Sequence, residues 1–432
     1  MKKLIIYSSD ITPRLEYVAE VIFSTVLGIS YELTSDRRKI GGSPSIIYSD
    51  EKVKDHFVIR PSGLLSDRTI TPLEPEVAYL DDLPMIFVSE GGSIPFDIFS
   101  AAFFMLSRYE EYLPFAPDAH GRFMGERSLA YRGGFLRTPV VEVWSRYLAG
   151  ELVKRYPVLT IKHNEYKPLV TVDVDQPFAY RSRGFLRSVG GLVKGIAGTG
   201  ARPADRVRTM TGAMDDPYDS FDYIEQKLTE SGVDALFFFP LGDQREYDHN
   251  PPYRDQAYRD IIRKYDKMFG SGIHPSYRSA GRPATLRMEA ERYSKIAGHE
   301  AGCARQHWLL LRLPETYQSY EDAGISIDYT MGYADEPGFR AGIARPFPFY
   351  DLSKEKITGL TIVPFQIMDG TLRQYLHLSP EAALPVIRSL VSSTMSVGGL
   401  FVSIWHNTSL AEGNGWEGWR RVFEETLAMQ KV

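Results

Sequence analysis

The acid pair in Asp173-Val-Asp175 is the part of the sequence best suited to chemistry. It closes an apolar run from Leu169 to Val172 that is typical of a buried strand. Residues two apart on a strand point to the same face, so the two carboxylates point together. Neighbouring like charges raise each other's pKa unless a positive group lies between them. The pattern therefore predicts a bound metal ion or a proton transfer at this strand end, and hence an enzyme.

Other predicted strands also carry polar side chains at or near their ends. These are His274 after strand 271–273, Arg305 and His307 in strand 303–311, Asp328 after 325–327, and His406 after 401–405. Because Arg305 and His307 alternate with their neighbours, we expect them on one strand face. If the strands are parallel, their carboxyl ends meet at one edge of the sheet. A lone histidine is usually structural, so the prediction of an active site depends on the joint pattern.

The elements that must position these residues alternate between buried strands and amphipathic helices from residue 166 onward. The run from Ala235 to Phe239 is continuously apolar, as parallel strands covered on both faces require. Roughly seven β/α units follow one another. The sequence therefore predicts an α/β fold with a distorted (β/α)7-type barrel at residues 166–432. An open doubly wound sheet fits the same alternation.

A smaller α/β N-terminal domain is predicted ahead of the barrel, at residues 1–165. Short strands begin near Leu4, Ser45 and Phe57, and helical spacing of apolar residues indicates helices at 14–26 and 97–113. A chain of 432 residues also exceeds what one hydrophobic core usually organises. Two domains are therefore expected.

A basic, glycine-rich insertion near residues 181–215 interrupts the β/α alternation directly after the acid pair. It contains Arg181, Arg183, Arg187, Lys194 and several further arginines. Three hypotheses remain open for it: a lid over an anionic substrate, peripheral contact with membrane headgroups, or a solvated flexible insertion.

The composition excludes several classes of function. The net charge of −5 argues against nucleic acid as a partner, because no global field recruits it. No apolar segment is long enough to span a bilayer, and a cytoplasmic location is expected. The single cysteine, Cys303, cannot form an intramolecular disulfide, and we expect a buried structural thiol. The oligomeric state is not indicated.

The order of the strand-end residues resembles that of a known family. Asp-x-Asp after the first strand, His after an intermediate strand, Arg in the next and His after the last is similar to the polysaccharide deacetylase family (NodB-like, carbohydrate esterase 4). The resemblance covers only the second domain and implies a distorted barrel that removes N- or O-linked acetyl groups with a divalent metal. The first domain resembles the accessory region that precedes such domains in a bacterial subgroup.

The resemblance also implies roles for individual residues. Asp173 would be the general base, Arg305 the group that orients it, and His406 the general acid. Asp175 and His274 would be metal ligands. These roles suit the reaction, because attack on an acetyl carbonyl requires an activated water, a proton acceptor and a proton donor. Zinc is expected, and cobalt, nickel or manganese would suit the same donors.

One position departs from the family pattern. The family has a second histidine four residues after the first, whereas this chain has Arg278, which cannot bind a cation. Metal sites of this type take three protein ligands. We expect His307 to be the third, with Asp328 as a second option. The alternative is that no metal binds and the protein is a catalytically degenerate carbohydrate-binding or assembly protein.

The substrate predicted from these residues is an acetylated sugar or glycan intermediate. Tyr277 and Arg278 beside the first ligand histidine, and Asp328 and Arg340 in the glycine-rich run 328–342, are expected to contact it. A metal-independent glycoside hydrolase fits poorly. Glycosidase carboxylates flank the scissile bond, whereas carboxylates two residues apart on a strand lie on the same side of a substrate.

Overall fold

The computed structural model describes residues 3–51, 53, 55–180, 208–209, 213–214, 216–413 and 415–430. Apart from residues 208–209 and 213–214, the predicted insertion near 181–215 lies outside the described residues. Within the described part of the chain, no helix is long and apolar enough to cross a membrane.

The first part of the chain forms a four-stranded parallel sheet in the order β2-β1-β3-β4. Its strands are β1 (Leu4–Tyr7), β2 (Tyr31–Thr34), β3 (Ser45–Tyr48) and β4 (Phe57–Ile59). A small antiparallel hairpin follows, formed by β5 (Ala78–Leu80) and β6 (Leu83–Met85).

Four α-helices are described in this part, and side chains cap the first turns of the first two. The four are α1 (Pro13–Ala19), which continues as a π-helical turn (Glu20–Val26), α2 (Ile98–Leu106), α3 (Leu129–Arg132) and α4 (Val140–Arg155). The Thr12 side chain accepts a hydrogen bond from the Leu15 amide, and Pro13 occupies the first turn. Asp97 likewise caps α2 through the amides of Phe99 and Ser100. Caps of this kind satisfy the free amides of a first turn.

The second part forms a nine-stranded sheet in the order β12-β13-β11-β10-β9-β8-β7-β15-β14. Its strands are β7 (Lys167–Asp173), β8 (Asp234–Phe239), β9 (Ser271–Ile273), β10 (Cys303–Ala304), β11 (Ile327–Asp328), β12 (Phe347–Asp351), β13 (Lys356–Ile362), β14 (Ile367–Met368) and β15 (Leu400–His406). Only β12 pairs antiparallel, with β13. The helices are α5 (Phe221–Ser231), α6 (Gln256–Phe269), α7 (Pro283–Ala297), α8 (Glu315–Asp322), α9 (Pro380–Ser396) and α10 (Trp419–Gln430).

The parallel strands follow one another around this sheet in chain order, from β7 through β8, β9, β10 and β11 to β13. A mixed α/β fold with a mainly parallel sheet is thus confirmed, but no closed sheet is found among the described residues. The segment between β13 and β14 contacts both β11 and β15. The Val363 amide donates to the Asp328 carbonyl, and the Gln366 amide donates to the Val402 carbonyl.

The two sheets share one continuous apolar core. Tyr17 of α1 packs against Tyr350 of β12 with ring centroids 5.0 Å apart. The buried Arg14 side chain donates to both carboxylate oxygens of Glu355. The proposed domain boundary between residues 165 and 166 falls between α4 and β7, in a stretch without helix or strand.

Candidate metal centre

A cavity of about 270 Å³ opens at the carboxyl end of the parallel sheet. Its walls include five residues that the sequence analysis predicts for the site: Asp173, Asp175, His274, His307 and His406. These residues come from four separate segments of the chain. The carboxyl ends of parallel strands meet at one edge of a sheet, which explains why distant segments converge here.

Asp175, His274 and His307 form a cluster that could hold a metal ion. One ligand atom from each residue lies within 4.8 Å of the others. The Asp175 Oδ1 atom is 3.2 Å from His274 Nε2 and 3.6 Å from His307 Nε2. Of the two options for a third ligand, His307 therefore takes its place in the cluster and Asp328 does not.

The hydrogen bonds of the two histidines leave the correct nitrogen atoms free for a metal. His274 Nδ1 donates to the Arg305 carbonyl, and His307 Nδ1 lies 2.9 Å from the Asp248 carboxylate. Each ring therefore makes its hydrogen bond through Nδ1 and points Nε2 at Asp175, the arrangement in which histidines bind a metal through Nε2. The Asp175 Oδ1 atom is buried and has no hydrogen-bond donor in the described structure. These donors fit a divalent cation such as zinc.

The charges of this cluster are strongly coupled. Burial would raise the pKa of Asp175, but His307, His274 and His406 hold it well below its usual range. Burial would lower the pKa of His307, but the carboxylates of Asp175 and Asp248 outweigh it and raise that pKa to about 9. Asp175 therefore stays ionised, as a metal ligand must be.

Asp173 does not join the cluster but pairs with Arg305. The fully buried guanidinium donates to the Asp173 carboxylate at 2.8 Å, to the Thr171 hydroxyl at 2.7 Å and to the Tyr329 carbonyl at 3.0 Å. It also lies 4.6 Å from the centre of the Phe238 ring. This packing fixes one oxygen of Asp173 in place at the cavity wall and leaves its other oxygen to face His274, 3.8 Å away.

His406 is oriented by an acid that follows β14. Its Nδ1 atom lies 2.6 Å from the buried Asp369 carboxylate, which also accepts from the His406 amide at 2.8 Å. Burial would lower the pKa of His406, but Asp369, Asp175 and Asp173 raise it to about 10. The Nε2 atom lies 3.8 Å from Asp175 Oδ2, so this end of the ring faces the cluster.

The prediction that Arg305 and His307 share a strand face is wrong. Strand β10 ends at Ala304, and a short 3₁₀ turn begins at His307. Trp308 and Leu309 have φ values of 60° and 53°. Residues other than glycine adopt such values at a cost in backbone strain. This turn, and not strand alternation, brings His307 to the cavity and places Trp308 in its wall.

The four predicted substrate contacts are dispersed. Tyr277 and Arg278 line a separate, neighbouring cavity. Asp328 is fully buried and accepts a hydrogen bond from the Tyr317 hydroxyl at 2.7 Å, and its burial raises its pKa to about 6. Arg340 is 2% exposed and donates to both oxygens of Glu111. Substrate contact by Asp328 and Arg340 therefore does not fit the structure, since both groups are buried and neither lines the cavity.

Three residues around the cavity were missed in the sequence. Asp248 and Asp369 orient His307 and His406, and Trp308 lines the wall. Asp369 directly follows β14, so the strand-end pattern could have identified it. Asp248 lies in a loop after β8 with no comparable signal.

Cys303 has the environment expected of a structural thiol. Its Sγ atom donates to the Ser271 carbonyl at 3.7 Å, and burial raises the pKa of the thiol to about 12. A thiol with such a pKa is a poor nucleophile.

The comparison with protein families gives no function for either half of the chain. Residues 4–157 match a family of unknown function, DUF7033. A search of curated proteins found no match.

Similar solved structures were found, all at low similarity. A protein from Mycobacterium smegmatis assigned as a polysaccharide deacetylase is 16% identical with a TM-score of 0.38, over 61% of this chain and 84% of that one. A 4-alpha-glucanotransferase from Thermococcus litoralis is 14% identical with a TM-score of 0.37, over 61% and 37%. The carbohydrate deacetylase Agd3 is 12% identical with a TM-score of 0.33, over 68% and 54%. These scores are too low to support a functional assignment.

Proposed function

We propose that the protein is a metal-dependent hydrolase that removes acetyl groups from a sugar or glycan intermediate. One observation carries the proposal: a cluster of metal-ligand atoms lies in the same cavity as a carboxylate held by arginine and a histidine held by a carboxylate. The order of these residues along the chain is similar to that of the deacetylase family. We infer from this similarity that the group removed is an acetyl group.

Asp175, His274 and His307 would hold the cation, for which zinc is the first choice. A divalent cation there would polarise the acetyl carbonyl and lower the pKa of a water molecule. Asp173 would accept the proton of that water as its oxygen attacks the acetyl carbon. Arg305 would hold the Asp173 carboxylate in the correct orientation, because its guanidinium donates to one of the two oxygens.

His406 would deliver the second proton. As the bond between the acetyl carbon and the sugar nitrogen or oxygen breaks, His406 Nε2 donates a proton to the departing atom, and acetate and the free amine or hydroxyl are formed. Asp369 accepts from Nδ1 and thereby holds the ring in position for this transfer.

We also propose that the second sheet serves as a distorted seven-stranded barrel behind an N-terminal domain of residues 1–165. The continuous segment 356–368 pairs with β11 through its first half and with β15 through its second half. Counted as one strand, it lies between those two and would close the sheet around the cavity.

The proposal favours an enzyme over a degenerate binding protein because His307 takes the place of the ligand that Arg278 cannot provide. A protein that only binds glycans has no use for two histidines whose Nε2 atoms face a buried carboxylate oxygen without a donor.

Acetate release from N- and O-acetylated sugars and oligosaccharides tests this function, with protein loaded in turn with Zn²⁺, Co²⁺, Ni²⁺ or Mn²⁺. We expect metal-dependent release, and Asp173→Asn should lower it by about 10²- to 10⁴-fold at unchanged metal content. Asp266→Asn, which removes a carboxylate paired with His299 outside the cavity, is the matched control and should keep full activity. Acetate release that survives Asp173→Asn, or no release with any metal, would overturn the proposal.

A further inference from the structure

A second cavity adjoins the candidate metal centre and is lined by several arginines. It measures about 530 Å³, which suits a small-molecule ligand. Four arginines line it, Arg245, Arg278, Arg282 and Arg312, and we call it the arginine pocket. They come from the loops after β8, β9 and β10, so the pocket lies at the same end of the sheet as the metal centre.

The guanidinium groups of the arginine pocket lack counter-charges. All four side chains are exposed, and among the described residues none of them forms an ion pair with a carboxylate. Two acids also line the pocket, but Asp248 is buried and accepts from His307 and from the Tyr277 amide, which leaves Glu246 alone against four positive charges. The pocket therefore has a net positive charge that an anion would neutralise.

The first part of the chain borders the arginine pocket. Gly121, with φ of +82°, lies so close to Arg312 that an added Cβ would be 2.5 Å from its Nη2 atom. The same turn carries His120, which lines the pocket and whose ring lies 4.7 Å from Trp308, centroid to centroid. Both parts of the chain therefore contribute to the pocket.

A cluster of aromatic rings lies between the arginine pocket and the metal centre. Tyr247 and Tyr277 stack with centroids 4.4 Å apart, and both rings contact Trp308, which lines the metal cavity. Asp248 also belongs to both sites, because it lines the pocket and orients His307. The two sites are therefore neighbours that share one carboxylate and an aromatic cluster.

We propose that the arginine pocket binds a phosphate or diphosphate group carried by the substrate, so that the hydrolase acts on a phosphorylated acetyl sugar. This inference rests on the proposed function and adds the class of substrate. Arginine forks match the oxygens of a phosphoryl group and form charge-assisted hydrogen bonds with it. The half-buried stacked tyrosines line the pocket with flat apolar faces of the kind that pack against a sugar ring or a base.

Binding of inorganic pyrophosphate to the full-length protein tests the pocket without any need for catalysis. Calorimetric titration should show binding that weakens as salt rises, and Arg278→Gln with Arg312→Gln should weaken it about 10- to 100-fold. The matched control is Arg287→Gln, because Arg287 is an exposed arginine of α7 outside the pocket, and it should bind as the wild type does. Uridine diphosphate and decyl phosphate, titrated in parallel, distinguish a nucleotide-linked from a lipid-linked source of the phosphoryl group.

Three results would overturn the inference: no pyrophosphate binding, binding that the double variant leaves unchanged, or tighter binding of glucuronate than of pyrophosphate. Unchanged binding in the double variant would place the anion at the metal centre instead. A kinetic comparison separates this inference from the proposed function. The double variant should raise the KM for N-acetylglucosamine 1-phosphate but not for N-acetylglucosamine, at similar kcat. If no substrate releases acetate, the proposed function fails, and the titration still decides the pocket.

Discussion

Two buried groups of charges in this protein use the same kinds of residue for different purposes. Around Glu111, the guanidinium groups of Arg108 and Arg340 donate to the carboxylate, and both of its oxygens have partners. Around Asp175, the cationic partners are histidines, and Oδ1 has no hydrogen-bond donor. The first group joins the two parts of the chain, and the second is open to a ligand.

The difference lies in what each positive partner can release. Burial would raise the pKa of Glu111, but Arg340 and Arg108 lower it, and arginine cannot lose its proton. The carboxylate is therefore permanently paired. His307 and His274 also hold the pKa of Asp175 low, but an imidazole, unlike a guanidinium, can lose a proton and bind a cation. A buried ion pair can therefore serve as a metal site when its positive partner is a group that can lose its proton.

The largest expected effect is the loss of metal when a ligand histidine is removed. His274→Ala should abolish stoichiometric binding of Zn²⁺, measured by elemental analysis after gel filtration. His299→Ala is the matched control, because His299 also pairs with an aspartate, Asp266, but at an exposed position. Stoichiometric zinc in His274→Ala would contradict the assignment of the Asp175 cluster.

The Glu111 group should instead respond in stability. Glu111→Gln leaves Arg340 buried without a carboxylate partner, while Arg108 keeps Glu110, and should cost about 3–5 kcal/mol of unfolding free energy, measured by urea denaturation. The folded fraction should still bind zinc. The control Glu32→Gln removes an exposed carboxylate paired with Lys3 and Lys39 and should leave the midpoint nearly unchanged. An equal loss of stability in both variants would contradict the structural role assigned to the Glu111 group.

The smallest effect should come from the residue that orients His307. Asp248→Asn keeps the shape of the side chain but removes the charge that holds Nδ1–H, and it should weaken zinc affinity about 10- to 100-fold in competition with a chelator. The variant should remain folded, and its far-ultraviolet spectrum checks this. Unchanged zinc affinity would mean that the turn at Trp308 alone positions His307.

The sequence was sufficient to predict the parallel β/α half and the aspartates and histidines that line the cavity. Asp173, Asp175, His274 and His406 all follow or end strands that apolar runs mark clearly. It failed at strand β10, because the apolar run 308–311 resembles a strand while the chain turns with positive φ at Trp308. Propensity is local, and here the tertiary packing of the turn overrides it.

Sequence alone also could not assign partners to the charged residues. Arg340 lies in a glycine-rich loop, yet its partner Glu111 is 229 positions away. The pairs Asp248 with His307 and Asp369 with His406 span 59 and 37 positions. Such contacts depend on distances through space, which no local pattern encodes.

The sequence by itself determined the strand-end acids, the histidines and the parallel arrangement that gathers them at one edge, because apolar periodicity reports burial residue by residue. Only the tertiary structure decided that His307 completes the cluster, that Arg340 is bound to Glu111, and that four arginines form a pocket beside the metal centre. The physical reason is that ligand geometry and charge compensation are properties of groups, and these groups exist only after distant segments have packed together.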